Sequence, residues 1–510
     1  MGAPKLMFFE LDGATWTVMK PLLEAGELPN LRRLMDRGAH AVLMSEPPTI
    51  SPKIWTSIFS GKRPEEHGID FFGASSKMLR SKRVWDILSG KGYKVGTYGS
   101  LVTWPPYPIN GFMIPSICAL GTETFPAEYS FFQEIALSER KKWKNTTGPI
   151  LAIWDSLALG AKLLSHGVSP GTFMHGASYV FREKLLRYGM LDKYYRKVFL
   201  HLEMGTEFLV HLMKKYQPDF CTWHIHTCDS LAHRYWGYYD PEPFEGRIPP
   251  GMIKRFGNVI PDSYRKSDIA IGKLLDTLDE KTNVIVVSDH GGEALPEAIN
   301  PWTAKHNVIL DILGLTGKVV VALFGPGVYL NFKEKDLDLM EKPRKILNET
   351  VFEDTGEHVF FTKTFDNVLV VTKPNWKMDM EKITDESTIS FGEKGTYKIS
   401  EICTRQKMQM TGKHADAGII IMAGPDIQKI GEMPQASIYD MTPTILALLG
   451  EPIGKDMSPG QPLTHAFDPG FLEKNPVRHV DTYEDGEYAE ADEDIDHDKL
   501  AERLKHLGYL

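Results

Sequence analysis

The sequence of 510 residues predicts an α/β protein in which a largely parallel sheet lies between layers of helices. One observation and one general rule lead to this fold class. Short apolar segments that are typical of buried strands alternate with amphipathic segments of helical spacing, and parallel strands joined by helices are buried on both faces. The chain is also longer than one hydrophobic core usually holds, so we expect more than one structural unit.

The alternation begins at residue 5, with an apolar strand that ends at the turn pair Asp12-Gly13. A helix closed by glycine follows, and the same order recurs along the chain. The predicted strands are Lys5 to Leu11, Lys94 to Tyr98, Asn283 to Val287 and Gly418 to Met422. The predicted helices are Pro29 to Gly38, Val84 to Leu88 and Ser267 to Leu278.

Two stretches interrupt this order. The first, near residues 121–215, has helical spacing and no obvious parallel strand. The second, near residues 318–410, combines apolar strands with a charged helix from Lys333 to Leu347. The acidic segment from Asp481 to Asp498 is expected to be solvated, ahead of a short amphipathic helix from Lys499 to Leu507. The predicted division is core 1–120, helical insertion or cap 121–215, core 216–317, second cap 318–410, core 411–465, and acidic tail with terminal helix 466–510.

The composition excludes several classes of protein. The net charge of -9 argues against nucleic-acid binding, which requires a basic surface. No apolar run is long enough to span a bilayer, and the first strand starts too early to leave room for a signal peptide. Four cysteines without a CxxC pair do not suggest a disulfide framework. We therefore expect a cytoplasmic protein with a small-molecule substrate and no nucleic-acid or membrane partner; the oligomeric state stays open.

Charged residues follow two of the predicted strands. Asp12 stands at the carboxyl end of one strand, where α/β folds assemble their sites, although Asp-Gly is also a common turn pair. Asp289 and His290 follow another strand, and charged pairs at strand ends seldom serve a core. Gly291 and Gly292 are expected to permit the turn that brings both side chains to one site.

Histidines and one further aspartate complete the candidate set. Asp229 and His233 are four residues apart, so they share one face of a helix, either as metal ligands or as an ordinary polar pair. His224 and His226 alternate on a predicted strand and are expected to support the site or to pack, rather than to bind a metal. His414 stands just before the last predicted strand.

The segment that contains Thr49 and Ser51 supplies a hydroxyl at the start of a helix. Free backbone N–H groups and the positive end of the helix dipole suit an oxyanion there, while helix capping is the common alternative role. Pro52 fits the first helical turn and leaves Ser51 at the cap position. The set of three aspartates, three histidines and one hydroxyl is sufficient for two cations, and mixed nitrogen and oxygen ligands favour zinc or manganese.

In this order, the candidate residues resemble those of the type I phosphodiesterase and nucleotide pyrophosphatase family of the alkaline phosphatase superfamily. The segments WTSIFSGKRPEEHGI, SDHGG and HADAGIIIMAGPDI resemble the stretch after that family's nucleophile, its aspartate-histidine strand end and its last histidine strand. The likeness covers about residues 4–115, 216–295 and 411–465, and it implies an alkaline-phosphatase-like core with inserted cap elements.

The resemblance also implies roles for individual residues. Ser51 would be the nucleophile, would contact one of the metals and would carry the phosphoryl group as an intermediate. Many phosphodiesterases of this family have asparagine three residues after the nucleophile, where this chain has Ile54, and Lys53 is the candidate substitute for substrate binding. The implied ligands are Asp229, His233 and His414 for one metal and Asp12, Asp289 and His290 for the other.

The function predicted from the sequence is a metal-dependent phosphodiesterase or pyrophosphatase that acts on a nucleotide-like or other small phosphate ester. A phosphomonoesterase or phosphomutase on the same fold is one alternative. A non-catalytic binding protein that kept the scaffold is another. The sulfatase signature is absent after Ser51, where Lys53 and Trp55 occupy its proline and arginine positions.

Overall fold

The computed structural model describes residues 5–137, 159–186, 188–296, 302–324, 327–332, 337–365, 368–372, 383–405 and 410–486. The chain divides into two compact units. Of the described residues, those within 5–231, 258–292 and 414–486 form the first unit, and those within 232–257 and 293–413 form the second.

The strands and helices are numbered separately in chain order. The strands are β1 Leu6–Leu11, β2 Gly38–Met44, β3 Val95–Tyr98, β4 Gly111–Ile114, β5 Phe220–Ile225, β6 Asn283–Val287, β7 Gly291–Ala294, β8 Trp302–Ala304, β9 Val319–Phe324, β10 Gly327–Phe332, β11 Val351–Phe352, β12 Phe361–Phe365, β13 Val368–Thr372, β14 Thr388–Ser390, β15 Thr396–Lys398, β16 Cys403–Arg405, β17 Gly412–Ala415, β18 Ala417–Ala423, β19 Gly431–Glu432, β20 Ala436–Ser437, β21 Ile453–Gly454 and β22 His479–Val480. The helices are α1 Trp16–Glu24, α2 Pro29–Asp36, α3 Ser51–Ser60, α4 Pro64–His67, α5 Val84–Gly90, α6 Ser130–Ala136, α7 Pro170–Leu186, α8 Met190–Tyr216, α9 Thr227–Tyr239, α10 Pro250–Phe256, α11 Val259–Leu275, α12 His306–Leu313, α13 Leu337–Glu349, α14 Ile399–Ile402, α15 Met441–Leu448 and α16 Pro469–Lys474.

The first unit is built on a largely parallel sheet with the strand order β19-β2-β18-β6-β1-β5-β3-β4, and β20 pairs with β2. The central strand β1 is parallel to both β5 and β6. Strand β18 is antiparallel to its neighbours β2 and β6. Helices join the parallel strands, so the α/β fold class predicted from the sequence is confirmed.

This topology brings several strand ends to one edge of the sheet. The carboxyl ends of β1, β5 and β6 meet there because the three strands are parallel neighbours. The amino end of β18 lies at the same edge because β18 runs in the opposite direction to β6. The loops after β1, β5 and β6 and the residues before β18 therefore converge, as in other open α/β sheets.

Buried side chains hold β1 and α3 in place at this edge of the sheet. All six residues of β1 and all ten residues of α3 are buried. The ring of Phe59 on α3 contacts Trp85 of α5, with ring centroids 4.7 Å apart, and stacks on Trp55 at 6.0 Å. Aromatic pairs at these separations contribute stabilisation beyond that of the apolar area that they bury. The first residue of α3 is therefore held on a rigid helix.

The second unit has its own hydrophobic core. A four-stranded antiparallel sheet has the order β12-β13-β10-β9, and β11, β14 and β15 form a smaller sheet. Buried Leu330, Leu369 and Leu347, the last on α13, belong to one cluster of apolar side chains. The charged helix expected from Lys333 to Leu347 is present, with bounds of Leu337–Glu349.

Most predicted elements are confirmed within two residues of their expected bounds, but α11 begins eight residues before the expected Ser267. Val259 and Ile260 are buried, and Pro261 is tolerated in the first helical turn. The predicted helix from Lys499 to Leu507 lies outside the described residues. Among the residues described, no helix has the length and apolar character needed to cross a bilayer.

Candidate active site

Asp12 follows β1 at the converging edge and lies against the start of α9. The backbone N–H of Asp229 donates to the carbonyl of Asp12 at 3.1 Å. Gly13 adopts a φ of +68°, and a Cβ added there would lie 2.7 Å from the Cα of Asp229. Only glycine allows this approach without strain, so the Asp12-Gly13 pair serves both the turn and the site.

His414 lies in β17 and reaches the same place just before the amino end of β18. Its Nε2 lies 3.2 Å from Oδ1 of Asp229. Its Nδ1–H donates to the backbone carbonyl of Thr49 at 2.6 Å. Because Nδ1 carries the proton, Nε2 can offer a lone pair to a metal, and such hydrogen bonds commonly orient histidine ligands.

His290 is held in the same manner. Its Nδ1–H donates to the carbonyl of Gly291 at 2.9 Å, which leaves Nε2 facing Oγ of Ser51 at 3.1 Å. The same Nε2 lies 3.5 Å from Oδ1 of Asp12 and 3.4 Å from Oδ2 of Asp289. A hydroxyl, an imidazole and two carboxylates therefore converge in one buried place.

The imidazole rings of His290 and His414 stack on each other, with centroids 3.5 Å apart. Close to this contact, β18 approaches the loop after β6, and a Cβ at Gly418 would lie 2.3 Å from the carbonyl oxygen of Ser288. The role predicted for Gly291 is different in the structure. Its φ is not positive, and what it provides is space, because a Cβ there would lie 2.3 Å from the carbonyl oxygen of Ala417.

Ser51 is the first residue of α3 rather than its cap. The cap is Ile50, and no side chain caps this helix. The prediction that Ser51 stands at the cap position was therefore wrong by one residue, because Pro52 takes the second helical position instead of the first. The hydroxyl of Ser51 is directed at His290 instead of at the helix backbone.

Three carboxylate oxygens of the site stand out among the described residues. Within the described residues, no hydrogen bond of good geometry reaches Oδ1 of Asp12 or either carboxylate oxygen of Asp289, although both residues are fully buried. Burial and the neighbouring Asp12 raise the pKa of Asp289 well above its usual value. Ligand atoms of Asp12, Asp229 and His290 lie within 4.8 Å of one another. Buried carboxylate oxygens in this condition, next to imidazole nitrogens, are surroundings that suit a cation.

His233 lies one helical turn after Asp229 on α9, as its spacing predicted. The boundary between the two units falls inside this helix, after Leu231, so His233 is counted with the second unit. There its Nδ1–H donates to the carbonyl of Gly412 at 3.2 Å. This is the same arrangement as in His290 and His414, and it also leaves Nε2 as a possible ligand atom.

Lys53 is buried, and its ammonium group experiences mainly negative charges. Burial lowers the pKa of Lys53, and the carboxylates of Glu46, Glu65 and Asp70 oppose this shift. The side chain is therefore surrounded by compensating charge. Its role toward a substrate stays a prediction.

His224, which was expected to support the site or to pack, contacts Asp12. Glu10, which the sequence analysis did not identify, contacts His224. Glu10 is fully buried in the otherwise apolar β1. His224 on β5 contacts Oε2 of Glu10 through Nδ1 and Oδ2 of Asp12 through Nε2, both at 3.1 Å. Burial lowers the pKa of His224, but its hydrogen bonds to Asp12 and Glu10 outweigh that effect and raise the pKa to about 9. A charged residue inside the apolar run LMFFEL was the signal that could have identified Glu10.

A cavity of about 60 Å³ has His224 in its wall. Its wall contains apolar side chains of α6 and α8, among them Phe132, Ala136 and Met204, and it also contains His201 and His226. We call it the apolar cavity. The carboxyl end of β5 forms another part of its wall, so the cavity adjoins the segment that carries the metal-ligand candidates.

An alternating α/β fold that collects aspartate and histidine side chains with a serine at one edge of its sheet defines an alkaline-phosphatase-like protein. A family model described as "Type I phosphodiesterase / nucleotide pyrophosphatase" matches residues 6–359, more than half of the chain. The chain belongs to this family, whose activity is phosphoric diester hydrolysis. A comparison with curated proteins gave no match. The matched region ends before His414, so the case for this residue rests on the geometry described above.

Proposed function

We propose that the protein is a metal-dependent phosphodiesterase or pyrophosphatase that hydrolyses a nucleotide-like or other small phosphate ester through a phosphoseryl intermediate on Ser51. The observation that carries this proposal is the position of the Ser51 hydroxyl, 3.1 Å from Nε2 of His290 in the cluster that includes Asp12 and Asp289. Family membership supports the reaction class.

The proposed ligands form two sets. One consists of Asp229 and His414, with His233 one helical turn along α9. The other consists of Asp12, Asp289 and His290, and Asp229 is close enough to share in it. Zinc or manganese suits these nitrogen and oxygen ligands best. Two such cations, when bound, would lower the pKa of the serine hydroxyl and neutralise charge on the phosphoryl oxygens.

The chain itself supplies the nucleophile and its orientation. Oγ of Ser51 loses its proton and forms a bond to the phosphorus atom, while the bond from phosphorus to the leaving oxygen breaks and that oxygen takes up one proton, so that an alcohol or a phosphate departs. Water then attacks the phosphoserine, which restores the hydroxyl and releases the phosphate product. The amino end of α3, where Ser51 lies, favours the negative charge of the phosphoryl group through the helix dipole.

Substrate choice is proposed to lie with the helical insertion at residues 121–215. Its helices α6 and α8 supply much of the wall of the apolar cavity, which suits a compact apolar part of the leaving group. Lys53 is proposed to interact with the phosphate group. A monoester substrate is the second candidate, because Ile54, where many family phosphodiesterases have asparagine, offers no side-chain hydrogen bond to a phosphoryl oxygen.

The test is an activity screen on the full chain before and after metal removal. We expect a model phosphodiester to be hydrolysed faster than the matching monoester, activity to disappear on chelation, and Zn(II) or Mn(II) to restore it. The Ser51→Ala variant is the control for contaminating activity. Full activity in metal-free protein would refute the metal dependence, and faster monoester turnover would favour the second candidate.

A further inference from the structure

Glu10 stands out because it is a fully buried carboxylate in a central strand. Burying a charge is costly unless it is paired. Its partners are Ser100, in the loop after β3, which donates a hydrogen bond to Oε1, and His224 of β5, which contacts Oε2. The hydroxyls of Ser100 and Thr222 are also 2.8 Å apart.

The strand register explains why this chain of polar groups reaches the site. Glu10 of β1 lies directly opposite His224 of β5 in the parallel pair. Asp12 directly follows β1, and its backbone N–H still donates to the carbonyl of Ile225 at the end of β5 at 3.1 Å, so Glu10 and Asp12, two residues apart, are directed to the same side of the chain. The ring of His224 can therefore contact both carboxylates at once, one through each nitrogen.

The two oxygens of Asp12 consequently have different surroundings. Oδ2 is 3.1 Å from Nε2 of His224. Oδ1 has no hydrogen bond of good geometry from a described residue and faces Nε2 of His290 at 3.5 Å. Rotation of the Asp12 carboxylate would break the contact with His224.

From this geometry we infer that Glu10 and His224 are positioning residues that hold the Asp12 carboxylate with Oδ1 directed toward the metal site it forms with Asp289 and His290. The inference rests on the proposed function, since it assumes that Asp12 is a metal ligand. Partners of this kind commonly change metal affinity by about 10- to 100-fold when they are removed.

The test measures metal binding directly, by competition with a chromophoric chelator, on the full chain and on Glu10→Gln and His224→Gln variants. Glutamine at position 10 keeps the volume and can still accept from Ser100, and glutamine at position 224 cannot reach both carboxylates as two ring nitrogens do. We expect each variant to weaken one of two metal sites by about 10- to 100-fold and to leave the other unchanged.

The matched control is His226→Gln, which alters the next histidine along the chain and should leave both affinities unchanged. The double variant Glu10→Gln/His224→Gln should lose little more than either single variant, because the two residues act through one contact. In the Co(II)-loaded protein, the absorption bands of the ion at that site should change, and those of the ion at the other site should not. A merely structural role would not produce this selectivity.

The outcomes separate the two proposals. If the unaltered chain binds metal at both sites and both variants keep its affinities, the positioning role is wrong while the proposed function stands. If the unaltered chain binds no metal, the proposed function fails and this inference fails with it. Should His224→Gln not fold, as judged by its circular dichroism, Glu10→Gln alone decides, and unchanged affinity in that variant overturns the inference.

Discussion

The imidazole rings of His290 and His414 lie face to face, with centroids 3.5 Å apart and planes inclined by 18°. Each ring donates its Nδ1–H to a backbone carbonyl, that of Gly291 for His290 and that of Thr49 for His414. The Nε2 atoms of the two rings belong to the two proposed ligand sets. The stack therefore holds these sets side by side, as a site that clamps one phosphate group with two cations requires.

The first prediction concerns metal content. His414→Ala and Asp289→Ala should each lose about one of two metal ions, because each removes a direct ligand from a different set. Elemental analysis of the purified variants measures this loss. His226→Ala, which removes a histidine that is not a proposed ligand, should keep both ions. Unchanged occupancy in both ligand variants would contradict the assignment.

The second prediction concerns the apolar cavity. Ala136→Val should fill part of it and lower kcat/KM by about tenfold for diesters with compact apolar leaving groups, since pocket contacts of this size are worth about 1–3 kcal/mol. Activity on a methyl ester should change little. Glu134→Gln, on the same helix but not in the cavity wall, is the control. An equal loss on all substrates would contradict a role in substrate choice.

The third prediction concerns His67, which is fully buried. Its Nδ1 accepts from the N–H of Ile69 at 3.1 Å, and its Nε2 contacts Oγ of Ser57 at 3.0 Å. Burial, and then the charges of Lys53, Arg80 and Arg83, lower its pKa to about 3.

The lowered pKa sets the sign of the pH effect. Between the folded and unfolded pKa values the unfolded chain binds more protons, so stability should fall as the pH drops below about 6.5. From pH 6.5 to 5 the loss attributable to His67 should be at most about 2 kcal/mol. Urea unfolding at several pH values measures it, and His67→Asn should flatten the pH dependence. Equal slopes for both proteins would contradict this account.

The fourth prediction concerns the start of the acidic tail. Glu484 was expected to be solvated, but it accepts from Nζ of the buried Lys62 at 2.6 Å, and Asp456 accepts from the same nitrogen at 2.8 Å. Glu484→Gln should therefore lower the free energy of unfolding by roughly 1–3 kcal/mol. Asp481→Asn, at an 89% exposed side chain, should change it by less than about 0.5 kcal/mol. Equal effects in thermal or urea unfolding would refute this role.

The sequence predicted the fold class because its signals are local, and the signals that indicated the candidate residues are local as well. Alternating apolar segments revealed β1, β5 and β6, and the four-residue spacing of Asp229 and His233 placed both on one helix. Contacts between distant segments could not be read in this way. The carbonyl of Thr49 that orients His414, 365 residues away, is a backbone group and has no sequence signal.

Other differences have the same origin. The tail residue Glu484 pairs with Lys62 because a buried ammonium group needs carboxylate partners. The sequence does not show which of the many carboxylates will be that partner. Glu10 was overlooked because a single charge in an apolar strand has many possible explanations until its register with His224 is known. The predicted domain boundaries and the roles of the site residues stay predictions.

The most direct test of the account locates the phosphoryl group on the enzyme. Acid quenching during turnover of a diester, followed by peptide mass spectrometry, should find phosphate on Ser51, and Ser51→Ala should lose at least ~10²-fold in turnover while keeping its fold and metals. Thr49→Ala should be far milder, because Thr49 contacts His414 through its backbone carbonyl, which the substitution retains. Phosphate on Thr49, or a nearly fully active Ser51→Ala variant, would contradict the account.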